Sequence, residues 1–489
     1  MDTKALRQKI LDLAIRGKLV PQDPNDEPAV VLLERIRAEK QQMVKDGKLK
    51  PKDIKNDTVI FKCDDNLHYE KFSDGSVKCI EDEIPFDVPD NWEWVRLGAI
   101  CPYGDNKAIS SDSINESSWI LDLEDIEKDT GLIKHYTTKT ERNSLSNKYA
   151  FTTGQLLYSK LRPYLNKVVI ATKNGYCTTE ILPLIFYGNI SAKYMQIFMM
   201  SPTFLAYANM ISYGVKMPRL GTSDGKNALI AIPPINEQLR IRKQFDIIIP
   251  LLRKIEKHND TLHSNILATK SKILDLAIRG KLVPQDPNDE PASVLLEHIR
   301  AEKEELIRQG KIKRDKKESV IFKGDDNSYY EKYGEKLPSG WVVTNFETLL
   351  SYEQPTNYIV KNTNYNSEYE TPVLTAGKSF ILGYTDEKEN IFSELPVIIF
   401  DDFTTESKFV DFPFKVKSSA MKILHINTDL VLPKFAFYLM QATEIDHDNH
   451  QRYWISTYSQ EEIALPPLKE QERILSALEQ YFKLLNCLL

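Results

Sequence analysis

The sequence is poor in the features that mark a secreted, disulfide-bonded or membrane protein. Only five of its 489 residues are cysteine, and none of them stands in a Cys-x-x-Cys pair. An odd, scattered set of cysteines argues against a disulfide framework or a zinc ribbon. No apolar run reaches the roughly 18 residues of a membrane span, and the first residues are charged, unlike those of a secretory signal. These absences predict a cytoplasmic protein with no membrane partner.

An intact catalytic motif is missing as well. Residues 375–379 spell TAGKS, like the end of a phosphate-binding loop, but Pro372 stands where that loop requires its first glycine. Without this glycine the backbone cannot wrap around the phosphates. Neither Pro-Pro pair forms the NPPY motif of a methyltransferase, because the pairs lie in IPPI and LPPL segments. The sequence therefore does not predict nucleotide binding or methyl transfer.

Two acidic segments keep an enzymatic alternative open. Residues 401–408 (DDFTTESK) faintly resemble the paired acids and lysine of a magnesium-dependent nuclease. Residues 446–450 (DHDNH) could ligate a metal, but a polar loop is the more ordinary interpretation because no further ligand is identifiable. A self-sufficient restriction enzyme or methyltransferase is thus one alternative function, although it lacks a complete motif.

The strongest feature that is present is an internal repeat. Residues 9–29 spell KILDLAIRGKLVPQDPNDEPA, and the same letters recur at residues 272–292. When both copies are extended, to residues 40 and 303, they differ only by Val30 against Ser293 and Arg35 against His298. A long period that occurs only twice is not typical of a solenoid. It predicts a pseudo-twofold molecule.

A second pair of repeats closes the segments that lie between the first. IAIPPINEQLRI begins at Ile230, and the similar IALPPLKEQERI begins at Ile463. Weaker similarity links residues 58–71 with residues 319–332. Between these shared pieces the two halves of the chain diverge almost completely. The organisation is therefore a variable module followed by a shared helical piece, repeated once.

The central shared piece has the apolar spacing of a coiled coil. Two interleaved rows repeat every seven residues, with Asn259 interrupting the second row. The rows are Ile241, Ile248, Ile255, Leu262 and Phe245, Leu252, Ile266, Ile273. Pro250 removes a helical hydrogen bond, so we expect a bend or a break there. Gly17 and Gly280, each followed by a proline, predict helix ends.

The two ends of the chain match the two halves of this central piece. Residues 470–489 resemble its first half, and residues 3–16 resemble its second half. Laid end to end, the termini would rebuild a second copy of the connector. We therefore expect two long antiparallel helical connectors, each of which would span roughly 60 Å at about 1.5 Å per residue.

These repeats, with the closing motif PP-x-x-EQ-x-x-I, resemble the specificity subunit of type I restriction–modification systems. The resemblance covers nearly the whole chain, and residues 156–168 (LLYSKLRPYLNKV) and 397–424 resemble stretches of the family's target-recognition domains. It implies that each variable module recognises one half of a bipartite, asymmetric site in double-stranded DNA. It also implies that the helical connector sets the length of the unspecified gap.

The same resemblance implies the partners and the cofactors. Two methyltransferase (modification) subunits would dock on the two similar repeats, and restriction/motor subunits would join them. Two equivalent surfaces suit two copies of one partner. S-adenosylmethionine, ATP and Mg would belong to those partners, so this chain would have no cofactor, no metal and no catalytic residues. It would be a targeting subunit rather than an enzyme.

The predicted fold class is α+β. Two mixed α/β target-recognition domains are separated by two long antiparallel coiled-coil helices, in a pseudo-twofold and circularly repeated arrangement. The predicted regions are the N-terminal half of the distal conserved helical region (1–48), a charged connector (49–84), target-recognition domain 1 (85–234), the central conserved helical region (235–310), a second charged connector (311–336), target-recognition domain 2 (337–467) and the C-terminal half of the distal conserved helical region (468–489).

The first module carries a local excess of positive charge. The whole chain has a net charge of −6, but residues 140–226 hold ten basic and three acidic residues, which is +7. DNA responds to such local patches, and arginine and asparagine can contact base edges while lysine and tyrosine suit phosphates. The candidate DNA-binding residues here are Lys160, Arg162, Tyr164, Asn166, Lys167, Lys216 and Arg219.

The second module is less clear because it is acidic. Residues 338–466 hold 9 basic and 18 acidic residues, which is −9, and only residues 403–441 are slightly positive. The candidates are Lys408, Lys415, Lys417, Ser418, Ser419, Lys422, Arg452 and Tyr453. This acidity favours a further alternative, a scaffold of paired coiled coils that does not contact DNA.

Overall fold

The computed structural model describes residues 2–143, 145–310, 336–375, 377, 379–443 and 453–488. The chain divides into two compact units, residues 1–259 and 260–489. The boundary lies inside the helix of 44 residues that spans Ile235–Ile278. Among the described residues, no helix has both the length and the apolar character to cross a membrane.

Several helices of the first unit begin at a residue whose side chain caps the helix. The carboxylate of Asp2 accepts a hydrogen bond from the Ala5 N–H at 2.9 Å, which caps the first helix. That helix ends before Gly17, whose φ of +66° is a left-handed conformation that glycine adopts readily. The helices are α1 (Thr3–Ile15), α2 (Ala29–Lys45), α3 (Pro51–Ile54), α4 (Leu97–Ile100), α5 (Lys139–Arg142), α6 (Ala192–Met199), α7 (Pro202–Ile211), α8 (Thr222–Asn227) and α9 (Ile235–Ile278).

Short strands form the sheets of the first unit. The strands are β1 (Val59–Lys62), β2 (His68–Lys71), β3 (Val77–Cys79), β4 (Glu93–Arg96), β5 (Ala108–Ile109), β6 (Trp119–Leu121), β7 (Thr137–Thr138), β8 (Lys148–Phe151), β9 (Leu156–Ser159), β10 (Val168–Ile170), β11 (Gly175–Thr178), β12 (Ile181–Leu184) and β13 (Leu229–Ile232). They form sheets in the orders β1-β2-β3, β10-β9-β12 and β5-β8-β11-β6-β7, and the pair β13-β4. Leu11 of α1, Tyr194 of α6 and Ile241 of α9 lie in one core with this module.

The predicted connector at residues 49–84 contains regular structure. Sequence analysis assigned it no strands, yet β1, β2 and β3 form an antiparallel sheet in it. Arg96 of β4 fixes this sheet because its guanidinium donates to the buried Glu70 carboxylate at 2.7 and 3.0 Å. One charged residue of this segment therefore forms an ion pair that holds the sheet to the module. Its counterpart at residues 311–335 lies outside the described residues.

Among its described residues, the second unit has a different set of sheets from the first. Its remaining helices are α10 (Ala292–Arg308), α11 (Phe346–Leu349), α12 (Pro433–Ala442), α13 (Tyr453–Ser456) and α14 (Leu468–Asn486). Its strands are β14 (Val342–Asn345), β15 (Leu350–Glu353), β16 (Thr371–Leu374), β17 (Ile381–Thr385), β18 (Val397–Asp401), β19 (Ser407–Val410), β20 (Lys415–Val416), β21 (Met421–Ile426) and β22 (Glu462–Leu465). They form β15-β21-β18-β19, β17-β16-β20 and the pair β14-β22.

Each unit joins its module to the helices through the same buried carboxylate. In the first unit the Trp92 indole N–H donates to Glu237 at 2.9 Å, and the Gln22 amide donates to the other carboxylate oxygen at 2.6 Å. Burial raises the pKa of Glu237, and these two hydrogen bonds oppose that rise. A buried polar group that keeps its partners holds the module and the helices in one arrangement.

The second unit repeats this junction residue for residue. The Trp341 indole N–H donates to Glu470 at 2.9 Å, and the Gln285 amide donates to Glu470 at 3.4 Å. Burial likewise raises the pKa of Glu470. The repeated letters of the sequence thus correspond to a repeated set of contacts.

An ion pair beside each junction repeats as well. Arg240 contacts Asp26 at 2.5 Å in the first unit. Arg473 contacts Asp289 at 2.6 Å in the second unit. Both aspartates are buried within the PQDPNDEPA segment that the two copies share. The segment that is identical in the two copies therefore contains residues that stabilise the fold.

The long helix α9 contacts a terminal helix in each unit. In the first unit Arg7 of α1 contacts Glu256 at 2.9 Å. In the second unit the Lys270 ammonium donates to Asn486 of α14 at 2.6 Å. The apolar rows of α9 are buried at Ile241, Phe245, Leu252 and Ile266. Leu262 is exposed because it lies about two turns of α9 beyond the contact with the end of α14.

Of the bend or break expected at Pro250, the break does not occur. The helix continues through this proline from Ile235 to Ile278. Pro250 lies on the exposed side of α9, while Phe245, Ile249 and Leu252 are buried around it. These apolar contacts hold the helix together across the one hydrogen bond that proline removes.

Candidate nucleic-acid interface

Two loops of the first unit that are distant in sequence lie side by side. The first connects β9 to β10 and covers residues 160–167, and the second follows α7 and covers residues 213–219. The Arg162 N–H donates to the Pro218 carbonyl at 2.7 Å, which ties the loops together. We call residues 160–167 and 213–219 the loop pair. Both segments were predicted as DNA contacts from their basic letters alone, and the structure places them in one surface.

The first loop has an uncommon backbone. Arg162 and Asn166 take left-handed φ values of +50° and +49° and flank a short helical turn at Pro163–Leu165. Non-glycine residues adopt this conformation at a cost of about 1–2 kcal/mol each, and such positions cluster at binding sites. Tyr164 at the top of this turn is 49% exposed. The backbone thus presents a polar aromatic side chain to solvent beside Arg162.

The basic side chains of the loop pair differ in their exposure to solvent and in their partners within the protein. Lys216 is exposed, whereas Lys160 and Arg162 are half-buried. Arg162 Nε has no hydrogen-bond partner within the part of the chain that the structure describes. Arg219 is bound to Glu180 by hydrogen bonds of 3.0–3.2 Å. Its charge is therefore balanced within the protein, while Lys160, Arg162 and Lys216 supply the positive charge of this surface.

Two further candidates of the first module are used inside the protein. Asn166 is buried and donates to the Met200 carbonyl at 3.1 Å. The Lys167 ammonium donates to the Leu123 carbonyl at 2.6 Å, and burial lowers the pKa of this lysine. Asn166 cannot reach a base edge from this position, so its role in the structure is to hold the loop. Both side chains are engaged with backbone carbonyl groups of the protein.

Three candidates of the second module are also buried. Lys415 contacts Glu387 at 2.9 Å, and Lys422 contacts Asp402 at 3.3 Å. Tyr453 is buried, and its backbone N–H donates to the Asp402 carbonyl at 2.9 Å. A buried lysine needs its paired carboxylate, because an unpaired charge inside the protein is costly. The sequence-based choice of these residues as DNA contacts therefore conflicts with their placement in the core.

The exposed candidates of the second module gather at one end of a sheet. Lys417, Ser418 and Ser419 form the exposed turn between β20 and β21. The pairing of Asp401 with Met421 brings this turn next to the turn that connects β18 to β19. Lys408 at the start of β19 is half-buried and contacts Glu406 at 3.2 Å. Arg452 lies outside the described residues.

Sequence reasoning missed the apolar members of both surfaces. Phe403, in the turn after β18, is 48% exposed, and Val215 in the loop pair is fully exposed. Charge was the signal used to choose candidates, and it cannot identify an apolar residue that faces solvent. The turn residues around Val215, Gly214 and Pro218, are the signal that could have found it, because such turns lie at the surface.

The acidic segment that faintly resembles a nuclease centre has ordinary structural roles. The Asp401 carboxylate accepts hydrogen bonds from the Phe403 and Thr404 N–H groups at 2.9 and 3.1 Å, as in an Asx turn. Asp402 is occupied by Lys422. In the described ranges, no three histidine, cysteine or acidic residues come together as metal ligands. Residues 446–450 fall outside those ranges, as do Ala376 and Lys378 of the TAGKS segment.

The comparisons with known proteins point to one group. The type I restriction enzyme EcoAI specificity subunit of Escherichia coli is 32% identical over 387 residues, which are 69% of this chain and 61% of that protein. The EcoR124I/EcoR124II specificity subunit of Escherichia coli is 43% identical over 164 residues, 32% of this chain and 40% of that protein. The matched region thus spans about three fifths of the first relative. No family model matches.

One solved structure shares the fold. It concerns complex assembly and conformational transition of the type I R-M system, and one of its chains matches with a TM-score of 0.54. The match covers 83% of this chain and 93% of that chain at 16% sequence identity. The α+β fold is therefore one that has already been seen in another protein.

Proposed function

We propose that this chain, a homologue of the specificity subunits of type I restriction enzymes, recognises DNA sequence within such a system. The relatives support the choice of system, since each of them is a type I specificity subunit. The structural observation that carries the proposal is the loop pair. It joins two basic segments of the first module, separated by about 50 residues, into one exposed surface.

The chemistry of the loop pair suits duplex DNA. Lys160 and Lys216 supply charge for phosphates, while Arg162 and Tyr164 can reach polar groups of the backbone or the bases. The carboxylate of Glu180, which lies beside the loop pair, is balanced by Arg219. A phosphate approaching the loop pair therefore meets a net positive surface.

We propose that the second module recognises the other half of a bipartite, asymmetric site. Its contact surface would be the pair of turns that hold Phe403 and Lys417–Ser419, together with Lys408. The module is acidic overall, so this small patch must act locally. The different sheets of the two units support two different half-sites.

The helical parts would set the distance between the half-sites. The unit boundary lies within α9, so one continuous helix belongs to both units. The matched contacts at Glu237 and Glu470 attach each module to helix in the same way. We propose that this duplicated attachment gives a pseudo-twofold molecule in which helix length determines the unspecified gap.

The duplicated loops offer two equal surfaces to a partner. Residues 18–28 and 281–291 have identical sequences and are largely exposed in both units. Pro21 and Pro24, like their counterparts Pro284 and Pro287, are among the exposed positions. We propose that two methyltransferase subunits bind these loops and that restriction/motor subunits join them in the cytoplasm. Methyl transfer and cleavage, with S-adenosylmethionine, ATP and Mg, would then belong to the partners and not to this chain.

The proposal is tested by binding of the chain, in complex with its methyltransferase partner, to duplex DNA at several salt concentrations. We expect Lys160→Ala and Lys216→Ala each to weaken binding to all sequences and to reduce the salt dependence by about one released ion. Lys45→Ala, which removes the same charge from the exposed end of α2, is the control and should leave both values unchanged. Equal behaviour of all three variants would overturn the loop pair as the DNA surface.

A further inference from the structure

The second loop of the loop pair ends in a bare apolar tip. Val215 is 103% exposed, Tyr213 is 62% exposed and Met217 is 45% exposed. Single exposed apolar residues are ordinary, but a cluster of them at one loop end marks a surface that another molecule covers. We call Val215 and Met217 the apolar tip.

Backbone hydrogen bonds close the base of the loop that carries the apolar tip. The Arg219 N–H donates to the Tyr213 carbonyl at 2.9 Å, and the Tyr213 N–H donates to the Arg219 carbonyl at 3.2 Å. The side chain of Arg219 is fixed in turn by Glu180. Gly214 takes a φ of +101°, which other residues rarely adopt. The loop is thus closed at its base by one antiparallel pair of residues, Tyr213 and Arg219.

The surroundings of the tip favour DNA as the molecule that covers it. Lys216 lies between the two apolar residues, and the neighbouring loop contributes Lys160 and Arg162. Positive charge on both sides of an apolar tip matches a DNA groove, where phosphates flank the base edges. The major groove is about 12 Å wide and admits even a two-stranded β-ribbon, so it has room for a short loop that is closed by one residue pair. The apolar group exposed there is the 5-methyl group of thymine.

We propose that Val215 enters the major groove and contacts a thymine methyl group, so that the half-site of the first module contains at least one A·T pair recognised by this contact. Met217 would pack beside the same pair, and Lys216 would contact a flanking phosphate. The inference rests on the proposed DNA-recognition function and adds the chemical group that one part of the surface recognises.

The test replaces thymine by uracil, which removes only the methyl group. The probes are duplexes that carry the sequence methylated in the host, with each thymine of the half-site changed in turn, and the protein is the chain with its methyltransferase partner. We expect one substitution to weaken binding roughly fourfold, as for the loss of one buried methyl group. In the Val215→Ala variant, the ratio of the affinity for the thymine duplex to the affinity for the uracil duplex should fall to near one.

A matched control and two outcomes separate the possible failures. Leu145→Ala, which shortens another exposed apolar residue of the same unit, should keep the preference for thymine. If no uracil position matters while Lys160→Ala and Lys216→Ala still weaken binding, the DNA surface stands and the apolar tip does not recognise a methyl group. If Val215→Ala instead weakens binding of the methyltransferase subunit and leaves the thymine preference intact, the tip is a protein contact and the proposal is wrong.

Discussion

At the scale of single residues, the buried carboxyl groups carry most of the pH dependence that the structure predicts. Glu93 of β4 is the clearest, because burial raises its pKa from 4.5 to about 6 and Arg37 only partly opposes this. The folded state therefore holds the proton more tightly than the unfolded state. The stability that this proton contributes is complete below about pH 4.5 and is lost as the pH rises through 6.

Glu93→Gln should therefore stabilise the first unit above pH 6. The amide mimics the neutral acid, and we expect a gain of about 1 kcal/mol at pH 8 after allowance for partial exposure, with no gain at pH 4. Denaturant unfolding at the two pH values measures the difference. Glu34→Gln, at an exposed position of α2, should change little at either pH. A gain for Glu93→Gln that is equal at both pH values would show that its cause is not the carboxyl charge.

The tryptophans of the two junctions provide a matched pair of tests. Trp92→Phe leaves Glu237 with the Gln22 hydrogen bond of 2.6 Å, while Trp341→Phe leaves Glu470 with the longer one of 3.4 Å. A buried carboxylate that loses a donor costs about 1–3 kcal/mol. We expect both variants to lose stability.

The Trp341→Phe variant should lose more, because its remaining donor is weaker. Unfolding of each variant is compared with that of the double variant in which the glutamate is also changed to glutamine, which isolates the hydrogen bond from the loss of ring volume. If the free energy attributed to the indole hydrogen bond were equal in the two junctions, the result would contradict the expectation drawn from their different geometry.

Residue type alone did not distinguish exposed from buried lysines, and the reason is that burial depends on the fold. Lysine and arginine were counted by charge, which finds Lys160 and Lys216 but also selects Lys415 and Lys422. The latter two pair with acids that are distant in sequence, and no local pattern reveals such a pair. The same limit hid Val215, whose exposure depends on the closed base of its loop.

At the scale of elements, the helices were predicted better than the strands. The seven-residue rows and the glycines identified α1, α9 and α14, because helix periodicity and capping are local properties. The strands of the modules are mostly three to five residues long and pair across the chain, so their order was not predictable from spacing. The small sheet at residues 59–79 was missed for the same reason.

Pro250 is the element-scale position where local preference and structure disagree most. Because α9 is helical on both sides, Pro250→Ala should restore the missing hydrogen bond to the Asp246 carbonyl. We expect an increase in unfolding free energy of up to about 3 kcal/mol, the difference in helix preference between the two residues. Thermal unfolding of the whole chain measures it.

Lys243→Ala is the control for that substitution, since Lys243 is exposed on the same helix and should change stability by less than about 0.5 kcal/mol. A loss of stability in Pro250→Ala would mean that the local geometry around the proline suits its neighbours better than a regular helix does.

At the scale of the whole molecule, we propose that the helical parts hold two different recognition surfaces apart. The repeated segments predict two matching helical pieces, and the structure shows the same buried glutamate, indole and amide contacts beside them in each unit. Repeats can be recognised in a single sequence because the two copies can be compared with each other. The DNA half-sites cannot be predicted from a single sequence, because they depend on the surfaces of the divergent modules.

Methylome sequencing of a host that carries the chain and its methyltransferase partner tests this account most directly, with the wild-type chain beside a variant that has seven residues inserted after Ile255. We predict one bipartite, asymmetric methylated sequence for the wild type, absent when the chain is deleted. The insertion adds two helical turns, or about 10 Å, so the variant should keep both half-sites and lengthen the gap between them. A single continuous sequence, or the same gap in both strains, would contradict the account.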